Sequence, residues 1–154
     1  MNATMTRPAT RPAPGEDRSP GRYRSDSIDL APHPGAVALA RLHVRRTLGV
    51  WDLGELEADA SQVTSEIVAN AIEAHHHEHL NAPVRLTLLA GLRTLLIAVR
   101  DASTAMPVPA QPGPDLESGR GLLTVSALAA QWDAKPLAGG GKTVRALLRG
   151  SRRA

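Results

Sequence analysis

The chain has 154 residues, 42% of them apolar, and a formal net charge of +3, which fits one globular domain able to bury a sizeable core. It contains no cysteine, which excludes disulfides and thiolate metal sites, and no apolar run reaches the roughly 18 residues of a membrane span. Phe is absent and aromatic residues make up 2%, so the core has to come from Leu, Val, Ile and Ala.

The charge is unevenly spread. Residues 1–27 hold five Arg against three acids, and the remainder holds thirteen basic against twelve acidic residues. The part expected to fold is therefore near neutral and lacks the electrostatic footprint that a phosphate backbone demands, so no direct nucleic-acid partner is expected. The first residues carry Arg and Pro without the apolar stretch of a signal peptide, and the expected location is the cytoplasm.

Residues 1–21, with Pro8, Pro12, Pro14, Pro20, Gly15 and Gly21, have little to bury and read as a disordered leader. Residues 22–150 read as the folded domain and 151–154 as a basic tail. A short strand is expected around Tyr23 to Leu30. Pro32-His33-Pro34-Gly35 then precedes a helix from about Gly35 to Leu48, with Val37, Ala40, Val44 and Leu48 as its buried stripe. Arg41, Arg45 and Arg46 fall off that stripe and read as a solvated face, the sharper alternative being an acidic protein partner. Asp52 is placed to cap a second helix, from about Glu55 to His77.

That second helix carries the most telling pair. Glu66 and Asn70 are four residues apart, so they project from nearly the same side, one turn apart. Val63, Ile67, Ala71 and Ala74 form an apolar stripe beside them. A carboxylate and a carboxamide next to a core-facing stripe are costly to bury unless something binds them. The helix runs out in His75-His76-His77-Glu78-His79. His75 and His79 are also four apart, but with no completing ligand set they read as a solvated, fraying end rather than a metal site.

From Pro83 the periodicity changes to two. Val84–Leu88 and Thr94–Arg100 read as a hairpin turning at Gly91-Leu92-Arg93, and Asp101 closes the second strand. A Pro-rich loop from Ser103 to Ser118 follows, of a length usually reserved for function. Gly119-Arg120-Gly121-Leu122-Leu123 opens a helix to about Ala130, and strands are expected at Trp132–Leu137 and Lys142–Leu148 around Gly139-Gly140-Gly141. The expected class is α+β: a two-layer α/β sandwich with a mixed, mostly antiparallel sheet and helices on one face.

Four segments in this order resemble the histidine-kinase-like (GHKL) ATPases. Glu66-Ile67-Val68-Ala69-Asn70-Ala71 is similar to the helical N box, and Asp101 stands where that family has its adenine-reading aspartate. Gly119-Arg120-Gly121-Leu122 looks like the glycine box after the ATP lid, and Gly140-Gly141-Lys142-Thr143-Val144 resembles the last glycine–threonine segment. Within the superfamily the short single domain is most similar to the anti-sigma factor serine kinases. The resemblance implies bound ATP and Mg²⁺. Asn70 would offer its amide oxygen to the metal, Glu66 would act as general base, and Asp101 would accept from the adenine amino group. Gly119, Arg120, Gly121 and Leu122 would lie at the phosphates, and Thr143 would reach the adenine pocket from the sheet. It further implies a sigma factor and/or an anti-anti-sigma (STAS-type) protein as partner, and admits a homodimer. A catalytically silent, nucleotide-gated interaction module is the alternative. Two departures stand out: Ala102-Ser103-Thr104-Ala105 follow Asp101 where the family usually has glycines, and Lys142 replaces a small or hydroxyl residue.

Overall fold

The computed structural model describes residues 23–107 and 120–151, of residue 120 the backbone alone. The leader expected over residues 1–21, most of the loop from Ser103 to Ser118, and Gly119 lie outside the described residues.

Strand β1 (Arg24–Leu30) leads into helix α1 (Ala36–Val50), then helix α2 (Glu57–His77), with a single 3-10 turn over Gly54–Leu56 before it. Strands β2 (Val84–Gly91) and β3 (Thr94–Asp101) follow, then helix α3 (Arg120–Leu128), β4 (Gln131–Pro136) and β5 (Lys142–Arg149). The five strands run in the order β1-β2-β3-β5-β4. Every pairing is antiparallel, so the sheet is not mixed as the sequence suggested; hairpins join β2 to β3 and β4 to β5, and no parallel crossover is needed.

Alternation along the strands fixes which face is covered. Val84, Leu86, Leu88 and Ala90 of β2, Leu95, Ile97 and Val99 of β3, and Val144, Ala146 and Leu148 of β5 are all buried. Directly opposed residues share a face, and the register pairs Leu86 with Val99 and Val99 with Val144. This face meets the helices, whose buried stripes are Ala36, Ala40, Val44 and Leu48 on α1 and Ala60, Val63, Ile67, Val68, Ala71 and Ile72 on α2. The result is the two-layer α+β sandwich, with the helices on one side.

Both long helices end in the same device. After α1, Asp52 adopts a left-handed φ of 56° while the Leu53 N–H returns to the Leu48 carbonyl at 2.9 Å. After α2, His79 takes φ 54° and the Leu80 N–H returns to the His75 carbonyl at 2.8 Å. These are Schellman closures, which satisfy carbonyls that the helix leaves open. Asp52 therefore terminates α1 instead of capping the next helix, and neither the 3-10 turn nor α2 has a side-chain N-cap. The α2 end is closed, not frayed, and His79 has left the helix, so it shares no helical face with His75.

The α1 arginines are exposed, and two of them bridge to α2: Arg41 Nε donates to Ser65 Oγ, and Arg45 Nε to Glu57 Oε1 at 3.0 Å. On the inward side of α1, half-buried His43 lies 3.8 Å from Asp26 of β1. Burial pushes the His43 imidazole below its ordinary value of 6.5, and the Asp26 carboxylate opposes that without reversing it. On acidification the unfolded chain takes up this proton first. Stability is therefore expected to fall as pH drops below about 6.5, and His43→Gln should flatten that part of the curve. Denaturation midpoints at pH 7.5 and 5.5, wild type against variant, check it; parallel curves would refute it.

Candidate functional site

Glu66 and Asn70 are both half-buried on α2, one turn apart. Among the described residues Glu66 accepts only a long contact, 3.4 Å from Gln62 Nε2. The Asn70 side chain makes no hydrogen bond among the described residues. Its amide oxygen is thus a hard donor atom available to a cation such as Mg²⁺, which needs few protein ligands.

The start of α3 packs straight onto this pair. Gly121 is buried, and a Cβ there would stand 2.7 Å from Glu66 Oε2. Glycine at this position lets the first turn of α3, with its unpaired backbone N–H groups, come up to the carboxylate. Leu122 behind it is buried, and Trp132 Nε1 donates to Ser126 Oγ at 2.8 Å, tying α3 to β4. Arg120 contributes the first backbone residue of α3.

The third component comes from the ends of β3 and β5. Asp101 is 4% exposed and faces inward, two residues beyond buried Val99. Its Oδ1 accepts the Ser103 backbone N–H at 2.8 Å and Lys142 Nζ at 2.9 Å. Its Oδ2 is buried with no hydrogen-bond partner among the described residues. A buried carboxylate oxygen without a donor is rare and asks for a ligand or water. Ser103, fully buried, continues the turn by accepting the Ala105 N–H on its hydroxyl. Opposite them Gly141, at φ +80°, lies so close that a Cβ would meet the Asp101 carbonyl oxygen at 2.3 Å.

His75 joins the α2 and strand components. It is 0% exposed, and its Nε2 accepts the Ala102 N–H at 2.9 Å; Nε2 is thus the acceptor nitrogen and Nδ1 carries the ring proton. The reading of His75 as part of a solvated helix end is overturned. It lies four residues after Ala71 and three after Ile72, both buried, and so continues the core stripe. That spacing was visible in the sequence, but the polar run around it hid the signal. His75, Asp101 and Ser103 together hold this turn by side-chain hydrogen bonds.

Thr143 is not brought to this cluster. Asp101 pairs with Lys142, whereas Thr143 pairs with exposed Arg100 and with Lys135. Successive residues of a strand face opposite sides, so Thr143 lies on the sheet face away from the helices and Lys142 takes the inward place. The depression on that outer face, lined by Leu96, Trp132, Asp133, Arg145 and Leu147, is separate from these residues. There the Arg145 guanidinium holds the Asp133 carboxyl below its ordinary value through a 2.6 Å contact.

The family model of the histidine kinase-like ATPase domain matches residues 30–148. The chain belongs to that family. No curated protein matches the sequence. The matched range spans every strand and helix that contributes to the cluster, and a histidine kinase-like ATPase domain carries ATP binding, typically with Mg²⁺. The residues of this ATPase domain suit such a ligand: among the described residues Asp101 Oδ2 lacks a donor and the Asn70 amide lacks a partner, and Gly121 lets the start of α3 come up to Glu66. Among the described residues no helix of the domain is long and apolar enough to cross a membrane.

Proposed function

We propose that the chain is a nucleotide-dependent regulator of the anti-sigma factor type, which holds a sigma factor and/or phosphorylates a serine of an anti-anti-sigma (STAS-type) protein. The observation that carries this reading is the Glu66 carboxylate, set one turn from Asn70 and against the glycine that opens α3. A binding module needs Asn70 and Asp101; only a phosphotransfer site has use for a loosely held carboxylate beside them.

Asp101 takes the base on its free Oδ2, and the first turn of α3 offers backbone N–H groups to phosphate oxygens. Asn70 would hold a magnesium ion through its amide oxygen, and that ion would supply charge screening at the phosphates. Glu66 Oε2 takes the proton of the attacking serine hydroxyl as general base.

A thermal-shift titration with Mg-ATP and a phosphate-transfer assay on an STAS-type protein test the two halves separately. Wild type should be stabilised by Mg-ATP and Asn70→Ala should not. Glu66→Ala should still bind but transfer phosphate about 10²–10⁴-fold more slowly, the usual worth of a general base. No shift in wild type would overturn the reading. A shift without any transfer would leave the chain a nucleotide-gated interaction module.

A further inference from the structure

We infer that the sheet face turned away from the helices is a docking surface for a protein segment of one chemistry, an acidic amphipathic helix. That face lies across the sheet from the nucleotide cluster and stands whether or not the cluster binds a nucleotide. Leu89 pairs with Leu96 and Leu96 with Leu147, so three leucines form one row across β2, β3 and β5. They alternate with the buried residues of their strands and therefore point outward, and all three are half-buried. Tyr23 extends the row. Its ring stands 3.2 Å from the place of a Cβ on Gly91, two residues beyond Leu89, and it is 74% exposed. A contiguous apolar row with an aromatic at its end, on an open sheet face, marks an interface. At its other end the row opens into the depression lined by Leu96, Leu147 and Trp132, a seat for one large apolar side chain.

The charges around the row choose the occupant. Asp29 and Asp133 are the acids on this face of the strands, and each is already taken. Arg85 Nε lies 2.9 Å from Asp29, and Arg145 Nη2 lies 2.6 Å from Asp133. Arg100, Lys135 and Arg149 are exposed and make no ion pair among the described residues. These cations flank the leucines on both sides: Arg149 lies beyond Leu147 along β5, and Arg100 lies beyond Leu96 along β3 in the opposite direction. Arg100 also stands directly opposite Arg85, a like-charge pairing that costs the sheet unless an anion settles beside it.

An acidic helix meets both features. Neighbouring strands are about 4.8 Å apart and a helix rises about 5.4 Å per turn, so a helix laid along the row offers an apolar side chain to each leucine in turn. Carboxylates on its flanks then reach Arg149 on one side and Arg100 and Lys135 on the other. A second copy of this face would instead bring cation against cation along both flanks. A nucleic acid would have to lay its phosphates over leucines and past two carboxylates, whereas grooves that hold it carry unbroken positive charge and stacking aromatics.

The probe is a fluorescein-labelled synthetic helix of about 18 residues, with a leucine stripe flanked by glutamates; its control carries lysine in place of every glutamate. Titrated with the full chain, the glutamate helix is expected to bind at least about tenfold more tightly than the lysine helix, and more weakly as salt is raised. Arg100→Glu combined with Lys135→Glu, both at exposed positions, should weaken its binding about tenfold or more. Leu96→Thr, which keeps a strand-compatible side chain, should do the same. Denaturant midpoints near that of wild type show that the variants fold. No binding of the glutamate helix by wild type, equal binding of the two helices, or an affinity unchanged in both variants would overturn the inference. Tighter binding of a DNA duplex, abolished by the charge reversal, would give the face to nucleic acid. Sedimentation of wild type as a dimer that Leu96→Thr dissociates would give it to a second copy. Either of these results would overturn the acidic helix as its occupant.

Discussion

Asp101→Ala is expected to cost the fold about 3–5 kcal/mol, as breaking one half of a buried ion pair does. The reason lies in what remains. Lys142 is held on the inward face with a 5% exposed side chain, and without the carboxylate its ammonium has no acceptor among the described residues. The Ser103 N–H loses its acceptor as well. Replacing both partners by apolar residues of similar volume removes the charge along with its counter-charge, so Asp101→Ala combined with Lys142→Met should recover most of the loss. Urea midpoints of the wild type, the two single variants and the double variant form the cycle. Additive costs would show that the two side chains do not depend on one another.

Gly141→Ala should be nearly as damaging, by more than about 3 kcal/mol, although it adds one methyl group. A left-handed backbone costs an alanine about 1–2 kcal/mol, and Gly141 sits at φ +80°. The new Cβ would then stand 2.3 Å from the Asp101 carbonyl oxygen, a backbone atom pinned where β3 and β5 pair. Neither side can yield cheaply. Gly121→Ala makes the opposite case: its Cβ meets the carboxylate end of Glu66 at 2.7 Å, which can swing aside, so the fold should survive while Glu66 is displaced. Gly139→Ala, with nothing within 4 Å, is the control. Denaturant midpoints rank the three, and a Gly141→Ala midpoint equal to that of Gly139→Ala would refute the argument.

The layers of this protein were legible because apolar residues alternate in the strands and recur at helical spacing in α1 and α2, periods that burial on one side imposes. The same alternation held information that motif matching overlooked. Val144, Ala146 and Leu148 are apolar, which puts Lys142 on their side of β5 and Thr143 on the other. A resemblance centred on the threonine passed over that parity. What no single strand discloses is its register against another: that Asp101 meets Lys142 depends on β3 lying beside β5, 41 residues later. His75 was hidden by composition, a buried residue at the edge of an exposed polar run. Asp52 and His79 were misread because a left-handed residue that ends a helix differs from an N-cap in backbone angle, which residue type alone does not fix.

The adjacency of Asp101 and Lys142 also bears on how freely this domain can change. Strand β3 ends at one of them and β5 begins at the other, so the segment between, with α3 and β4 in it, is an excursion whose two ends are already fastened together. Lengthening such an excursion carries only a small logarithmic penalty, about 0.6 kcal/mol for a doubling. Insertions and deletions between β3 and α3 can therefore accumulate without loosening the scaffold, while Asp101, Lys142 and the residues packed on them stay in register.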